Sequence, residues 1–599
     1  MREYTSADVV AKPDPATQMA HTVLRHLRER PDAVLFAKPD AGAWTPITAR
    51  MFASDVNEVA KGLIAAGIEP GDRVGLMSAT RYEWTLVDYA IWTAGAVTVP
   101  IYETSSPEQV RWILSDSGAK AVVLEAERHA LVVDKVAADL PALTQRWTLD
   151  DGLAALRDAG RETSDDVLEE RRNSRGLNDL ATIVYTSGTT GRPKGCAVTH
   201  LNLWWIAVSA AKVLPEMMNE QGSTLLFLPL AHIFGRLVQG VCFESGVRVG
   251  HTADVTHLVE DLATFAPTFL LAVPRVFEKV HGTYRQTAHA SGKGKIFDAA
   301  EKVAIAYSRA LDTGGPGVAL RVKHAAFEKI LYGPKLRAPL GGNFTYAVSG
   351  GAPLSEHLGH FFRGIGITVC EGYGLTETSV GAVNTVPENR IGTVGRPSPG
   401  CTAGIREEDS EILLRGPNIF TGYWNDEAST DAAFDSEGWF HTGDIGELDD
   451  DGFLRITGRK KEVIVTAGGK NVVPGPIEER IRAHPLISQA VVIGDKERFV
   501  AALVTLDEEA LARWAAAHDR PASQDTPAAL RDDPALRAEV QHAIDDANAP
   551  ISRAESVRAF VILPEDFTDA GGTLTPSLKI KRNVVLERYA AEIARIYAT

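Results

Sequence analysis

Tyr185-Thr186-Ser187-Gly188-Thr189-Thr190-Gly191-Arg192-Pro193-Lys194-Gly195 leaves the apolar run Ala181–Tyr185 and packs four hydroxyl side chains, three glycines and Lys194 into one loop. Glycines let backbone N–H groups turn toward an anion, hydroxyls add further donors, and the lysine adds a point charge. That combination suits a loop closing over a triphosphate. It is not a Walker A loop, because no glycine here is followed five positions on by Gly-Lys-Ser/Thr. The chain also lacks GxGxxG and GxSxG spacings, which removes the usual hints of a dinucleotide enzyme or a serine hydrolase.

Upstream of the loop the hydrophobic period alternates. Phe52, Val56, Val59 and Leu63 recur at helical spacing behind the cap Thr48, and Gly67 ends the run. Strand Arg73–Ser78, helix Glu83–Ala94 and strand Ala96–Ile101 come next. Ser106-Pro107 opens a helix that Gly118 stops, and Ala121–Leu124 is the next strand. This is the pattern of a parallel sheet covered on both faces. Arg161–Asn178 is charged and reads as a surface connector. Downstream, residues 281–341 are helical and polar-rich, an insertion packed outside the sheets. After Gly458-Arg459-Lys460-Lys461 the texture changes to short strands (Glu462–Thr466, Ala490–Gly494, Val500–Leu506) around a helix at Ile477–Ala483.

Composition narrows the function classes. The 599 residues are 45% hydrophobic and 23% charged, which is ordinary globular composition. A net charge of −16 has the wrong sign for a protein that works by neutralising nucleic-acid phosphates. Four cysteines give neither a disulfide framework nor a CxxC metal pair, and they fit a reducing, cytoplasmic setting. The longest uncharged run, Ala338–Ser355, has 18 residues and is broken by Gly and Pro, short of the ~20 that a spanning helix needs. The opening Met1-Arg2-Glu3-Tyr4 is not a signal peptide. Peripheral contact with the inner face of a membrane and a homodimer both stay open.

Further motifs stand in order along the chain: Ala94-Gly95-Ala96-Val97-Thr98-Val99-Pro100, Leu228-Pro229-Leu230-Ala231-His232, Tyr373-Gly374-Leu375-Thr376-Glu377, Trp439-Phe440-His441-Thr442-Gly443-Asp444, Gly458-Arg459 and a late Lys579. With the 185–195 loop they resemble the signature set of the adenylate-forming superfamily of acyl-CoA synthetases, luciferases and peptide-synthetase adenylation domains, over nearly the whole chain. Pro100–Ser106, Val273–Lys279 and Phe499–Val504 are most similar to the long-chain fatty-acid–CoA ligases.

The resemblance implies a large N-terminal domain of stacked α/β and β subdomains (1–458), a hinge at 459–461 and a small mobile α+β lid (462–599). It implies ATP, coenzyme A and a fatty acid as substrates, with Mg²⁺ on Glu377. Thr186, Ser187, Gly188, Thr189, Thr190 and Lys194 would cradle phosphates. Tyr373 between Gly372 and Gly374 would stack on adenine, Gly350 and Gly351 would admit its edge, and Thr376 would reach the α-phosphate. Asp444 and Arg459 suit the ribose, His232 the acyl carboxylate, Lys579 is the expected catalytic lysine, and Lys461 the pivot. Two positions depart from the pattern. Arg236 stands where some long-chain members carry a gating tryptophan, and Ser410 where many relatives have glycine. A fatty acyl-AMP ligase, a ligase for medium-chain or aryl acids, and a non-catalytic binding regulator are the alternatives.

Overall fold

The computed structural model describes every residue except 11, 41, 187–191, 254–256, 522–524, 576–578 and 599. Local signals are realised where a cap or stop defines them. Helix Ala49–Ala65 starts on Thr48, whose hydroxyl accepts from the N–H of Met51. Helix Pro107–Ser117 has the reciprocal Ser106/Gln109 capping box and ends on Gly118 at φ 62°, a conformation that favours glycine. Strands Arg73–Met77, Val97–Ile101, Ala121–Leu124 and Gln145–Thr148 pair in parallel, in a sheet of seven strands. Leu180–Thr186 joins that sheet in parallel and Lys194–Thr199 returns antiparallel, with Thr186 opposite Lys194. The loop read first in the sequence therefore joins two neighbouring strands.

Beside this sheet lie a four-stranded sheet, a five-stranded sheet containing Tyr346–Ser349 and Thr368–Tyr373, and a five-stranded antiparallel sheet containing Phe440–Leu448 and Leu454–Arg459. One large core spans from Val10 to Phe440. From Ile464 onward the chain builds separate cores around the strands Ile487–Ile493, Val500–Leu506 and Val557–Ile562. All four cysteines, Cys196, Cys242, Cys370 and Cys401, are free and buried. Among the described residues no helix is long and apolar enough to cross a membrane.

Two segments differ from the sequence reading. The connector 161–178 contains a helix, Asp165–Arg172, capped by Ser164. Arg172 has 0% exposure and donates to Asn57 Oδ1 at 2.6 Å. Charge alone suggested a solvated surface, but this guanidinium is anchored inside. The helical insertion begins at Pro274, because Val273-Pro274 caps and starts the helix Pro274–Ala290. Helices Gly294–Leu311 and Val318–Phe327 and a wide π-helical turn, Glu328–Arg337, follow. The buried carboxylate of Glu301 takes His281 Nε2 at 2.7 Å and His357 Nε2 at 2.9 Å, which ties the insertion to the helix Glu356–Gly364.

Candidate active site

A cavity of about 2590 Å³ is lined by the large N-terminal part and by the small C-terminal unit. Antiparallel pairing places Asp444 opposite Arg459, and Arg459 Nε reaches Asp444 Oδ1 at 3.1 Å. Tyr373, the last residue of its strand, donates its hydroxyl to Asp444 Oδ2 at 2.6 Å. Burial pushes the Asp444 carboxyl up, against the pull of Arg459 and Tyr373. A carboxylate can accept about four hydrogen bonds, so with two taken it keeps capacity for a sugar diol.

Lys579 follows the undescribed residues 576–578, and the chain on either side is pinned. Thr575 N–H donates to the Lys579 carbonyl at 2.8 Å, and Leu574 bridges Ile580. The lysine lines the cavity. Burial, then the Arg459 charge, lower its pKa, while Asp444 and Glu377 act in the opposite sense. Lys581 lines the same cavity.

Glu377 accepts the Tyr423 hydroxyl on Oε1 at 2.9 Å. Lys194 Nζ lies 5.0 Å from the Tyr423 ring centroid and donates to Ser429 Oγ at 2.6 Å. Thr186 and Thr376 line the same wall. Ser187, Gly188, Thr189 and Thr190 lie outside the described residues.

His232 caps the helix Ile233–Glu244 by accepting from the N–H of Phe234 on Nδ1 at 3.1 Å. Burial, then the Lys579 charge, push it down to about 3, so the ring is neutral and its proton sits on Nε2. Gly350, Gly351, Gly372 and Gly374 line the cavity, but two of them answer to local packing. A Cβ on Gly374 would lie 2.0 Å from the Ser379 carbonyl oxygen, and one on Gly350 would lie 3.1 Å from Phe234 Cζ.

Arg236 is absent from the cavity wall. It turns the other way, with Nε 2.9 Å from Asp88 Oδ2, Nη2 on Asp88 Oδ1, and the guanidinium 4.9 Å from the Trp92 ring centroid. Ser410 has φ 59°, a conformation that favours glycine, which fits the glycine that the resemblance led one to expect there. Lys461 is exposed in the short 3₁₀ turn Lys460–Glu462.

Sequence reading missed Glu371, Tyr423 and Ser429. Burial drives Glu371 up to about 8, although its carboxylate accepts from the N–H of Leu354 at 3.2 Å. Its place directly before Gly372-Tyr373 was the available signal. Tyr423 and Ser429 reach the site only through tertiary folding, and no local pattern marks them.

One cavity serves two kinds of group. The ionisable residues above line it, and Val213, Met218, Phe227, Val238, Leu258 and Leu271 add an apolar lining. Ionisable and apolar side chains lining one cavity, with a lysine from the C-terminal unit among them, suit an enzyme that brings a charged nucleotide to an acid with an apolar tail. The chain belongs to the AMP-binding enzyme family, whose model matches residues 23–424, while residues 461–599 match the AMP-binding enzyme C-terminal domain. It is 48% identical over 584 residues to the long-chain-fatty-acid–CoA ligase FadD15 of Mycobacterium bovis, covering 97% of each chain. A long-chain-fatty-acid–CoA ligase of Gallus gallus is 31% identical, over 95% of this chain and 79% of the relative. The fold matches the adenylation domain of a carboxylate reductase from Mycobacterium chelonae (TM-score 0.75, 23% identity, 98% of this chain and 92% of that one). It also matches a fatty acyl CoA synthetase of Mycobacterium tuberculosis (TM-score 0.63, 24% identity, 97% and 100%).

Proposed function

We propose that the chain activates a long-chain fatty acid with ATP to an acyl-adenylate and transfers the acyl group to coenzyme A, giving acyl-CoA, AMP and pyrophosphate. The observation that carries this reading is one cavity lined both by the ionisable residues above and by apolar side chains. The 48% identity to a named long-chain ligase supports the substrate class.

In the first half the fatty-acid carboxylate attacks the α-phosphorus of ATP and pyrophosphate leaves. Catalysis is positioning and charge stabilisation. Lys579 stabilises charge gathering on the α-phosphate, and Thr376 donates to it. Asp444 accepts from the ribose hydroxyls while Tyr373 and Arg459 hold its carboxylate still. Thr186 and Lys194, with Ser187, Gly188, Thr189 and Thr190, bind the outer phosphates. Gly350, Gly351, Gly372 and Gly374 provide bare backbone beside the adenine. His232, neutral with its proton on Nε2, orients the acyl carboxylate.

Glu377 fits a magnesium ion. Tyr423 occupies one carboxylate oxygen and the second takes no hydrogen bond among the described residues. Magnesium is held by one or two carboxylates plus phosphate oxygens. When bound, the ion supplies charge neutralisation to the phosphates.

In the second half the coenzyme A thiol attacks the acyl carbonyl and AMP leaves. We assign residues 1–458 to the large domain, 459–461 to the hinge and 462–599 to a lid that pivots at Lys461 and withdraws Lys579. The test is pyrophosphate release and thioester formation over fatty acids of increasing length, with and without coenzyme A. Both products with long acids are expected. Pyrophosphate without coenzyme A consumption would identify an acyl-AMP ligase, and turnover of only medium-chain or aryl acids would remove the substrate class. No pyrophosphate from any acid would leave a binding protein.

A further inference from the structure

Among the described residues, Glu301 is a buried carboxylate whose only ion-pair partners are histidines. It is 7% exposed, with His281 Nε2 at 2.7 Å and His357 Nε2 at 2.9 Å. A histidine carries charge only when protonated. Buried Asp88, Asp444, Glu411 and Glu478 by contrast each meet an arginine: Arg236, Arg459, Arg406 and Arg582. A charge taken out of water is costly until a cation and hydrogen bonds compensate it. Both histidines converge on one oxygen, Oε1, and Oε2 takes no hydrogen bond among the described residues.

Three helices bring these groups together. His281 stands on Pro274–Ala290, Glu301 on Gly294–Leu311 and His357 on Glu356–Gly364. Each is four residues from a buried phenylalanine of its own helix, namely Phe277, Phe297 and Phe361. Residues four apart share a helix face, so the packing that seats the phenylalanines also sets the three polar groups. His281 lies edge-on to Phe361 with ring centroids 4.7 Å apart, and Phe297 is 6.0 Å from it. One ligand atom from each of the three residues lies within 4.8 Å of the other two.

We propose that His281, Glu301 and His357 bind a divalent transition-metal cation of the zinc class. Two imidazole nitrogens and a carboxylate oxygen are a set that zinc takes with water in the fourth place. Imidazole selects zinc, copper or nickel over magnesium, so the site differs in chemistry from Glu377. A tetrahedral ion with ligands at ~2.0–2.1 Å holds them roughly 3.3 Å apart. The nitrogen-to-oxygen contacts of 2.7 and 2.9 Å therefore open by about half an ångström to admit it. Each ring then keeps a proton on Nδ1 and turns the Nε2 lone pair to the ion. The His357 side chain is 52% exposed and lines the large cavity, which leaves the outer side open to water. The bound ion staples the helical insertion to the helix that follows Gly350-Gly351.

The experiment uses the full chain, stripped of metal by a chelator, and needs neither ATP nor turnover. Zinc binding is read by equilibrium dialysis, ligand type by visible absorption of the cobalt(II) form, and stability by thermal melts with and without zinc. The parent chain is expected to bind zinc, to give a four-coordinate cobalt spectrum without a thiolate band, and to melt higher with zinc but not with magnesium. His357→Ala and Glu301→Gln should each weaken zinc binding by at least about tenfold and abolish the zinc-dependent melting shift. His357 is exposed, so its variant carries the test if Glu301→Gln fails to fold. Glu377→Gln should keep the shift. A parent chain that binds no zinc overturns the proposal, as do His357→Ala and Glu301→Gln binding at the parental level, since the ion then sits elsewhere. It is equally overturned if the two variants lower the melting temperature by the same amount with and without zinc, which is the behaviour of a plain hydrogen-bonded clamp. A chain that activated no fatty acid would sink the functional reading without touching this one.

Discussion

Lys579 and Glu371 are the two residues whose surroundings make the sharpest demands. Removing one preorganised charge-stabilising group typically costs ~10²–10³ in rate. Lys579→Ala should slow pyrophosphate release by about that factor, yet leave thioester formation from supplied acyl-adenylate near normal. Lys581→Ala is the control, and a crippled control would move the role to Lys581. For Glu371 the sign follows from its raised carboxyl, about 8 in the fold against 4.5 as the ordinary value. The native state holds a proton that the unfolded chain has released, so stability falls as pH rises from 4.5 toward 8. The slope is ~1.4 kcal/mol per pH unit. Glu371→Gln should therefore be more stable than the parent chain at pH 8.5, by a margin that shrinks toward pH 5.5, as read by urea unfolding. Tyr373, Asp444, Arg459 and Lys579 were legible in the sequence because their motifs are local, and the fold brings them to one cleft. Glu371 was not, because its unusual state comes from burial, which no spacing encodes.

At the level of elements, Lys461 lies in the 3₁₀ turn Lys460–Glu462, an element whose usual φ of about −50° to −70° is close to what proline enforces. Among the described residues the Lys461 N–H donates to no backbone carbonyl in a turn, loop or cap. Lys461→Pro therefore suits the arrangement with Lys579 in the cleft. The variant should release pyrophosphate in one turnover and make little thioester from acyl-adenylate, while Lys461→Ala stays normal in both. A proline variant making thioester at the parental rate removes Lys461 as pivot. Arg236 invites a second test. Arg236→Met leaves Asp88 buried without its partner, a change that costs ~3–5 kcal/mol, and a denaturation midpoint unchanged from the parent would contradict the pairing. Helices with caps, such as those after Thr48 and Ser106, were readable to within a residue or two. Helix Asp165–Arg172 was not, since its charges pointed outward on paper while Arg172 finds Asn57 in a segment more than a hundred residues away.

For the whole molecule, acid sensitivity should come from histidines before carboxylates. Burial pushes His26 and His251 down to about 4 and His200 and His232 down to about 3. Their folded pKa values lie below the unfolded 6.5, so their neutral forms stabilise the fold fully above pH 6.5, and that stability is lost as pH falls toward 3–4. By pH 5.5 each histidine takes away ~1.4 kcal/mol, with Glu371 offsetting part of the sum. Unfolding free energies from urea titrations at pH 7.5 and 5.5 should differ by a loss of a few kcal/mol, and Glu371→Gln should steepen it. A flat profile would mean that these rings do not sit neutral.

The burial of Cys196, Cys242, Cys370 and Cys401 has a practical corollary for testing the proposed lid motion. Burial raises all four thiols, so hardly any thiolate is present at neutral pH to meet a maleimide. The native chain is thus optically blank toward thiol dyes. Cysteines installed at exposed Leu131 and Arg513, one on each side of the proposed hinge, would take a donor and an acceptor fluorophore without any prior removal of native sulfur. The proposed rotation of the C-terminal unit would then be read as a change of colour in single molecules, turnover by turnover, and a constant colour during turnover would count against it.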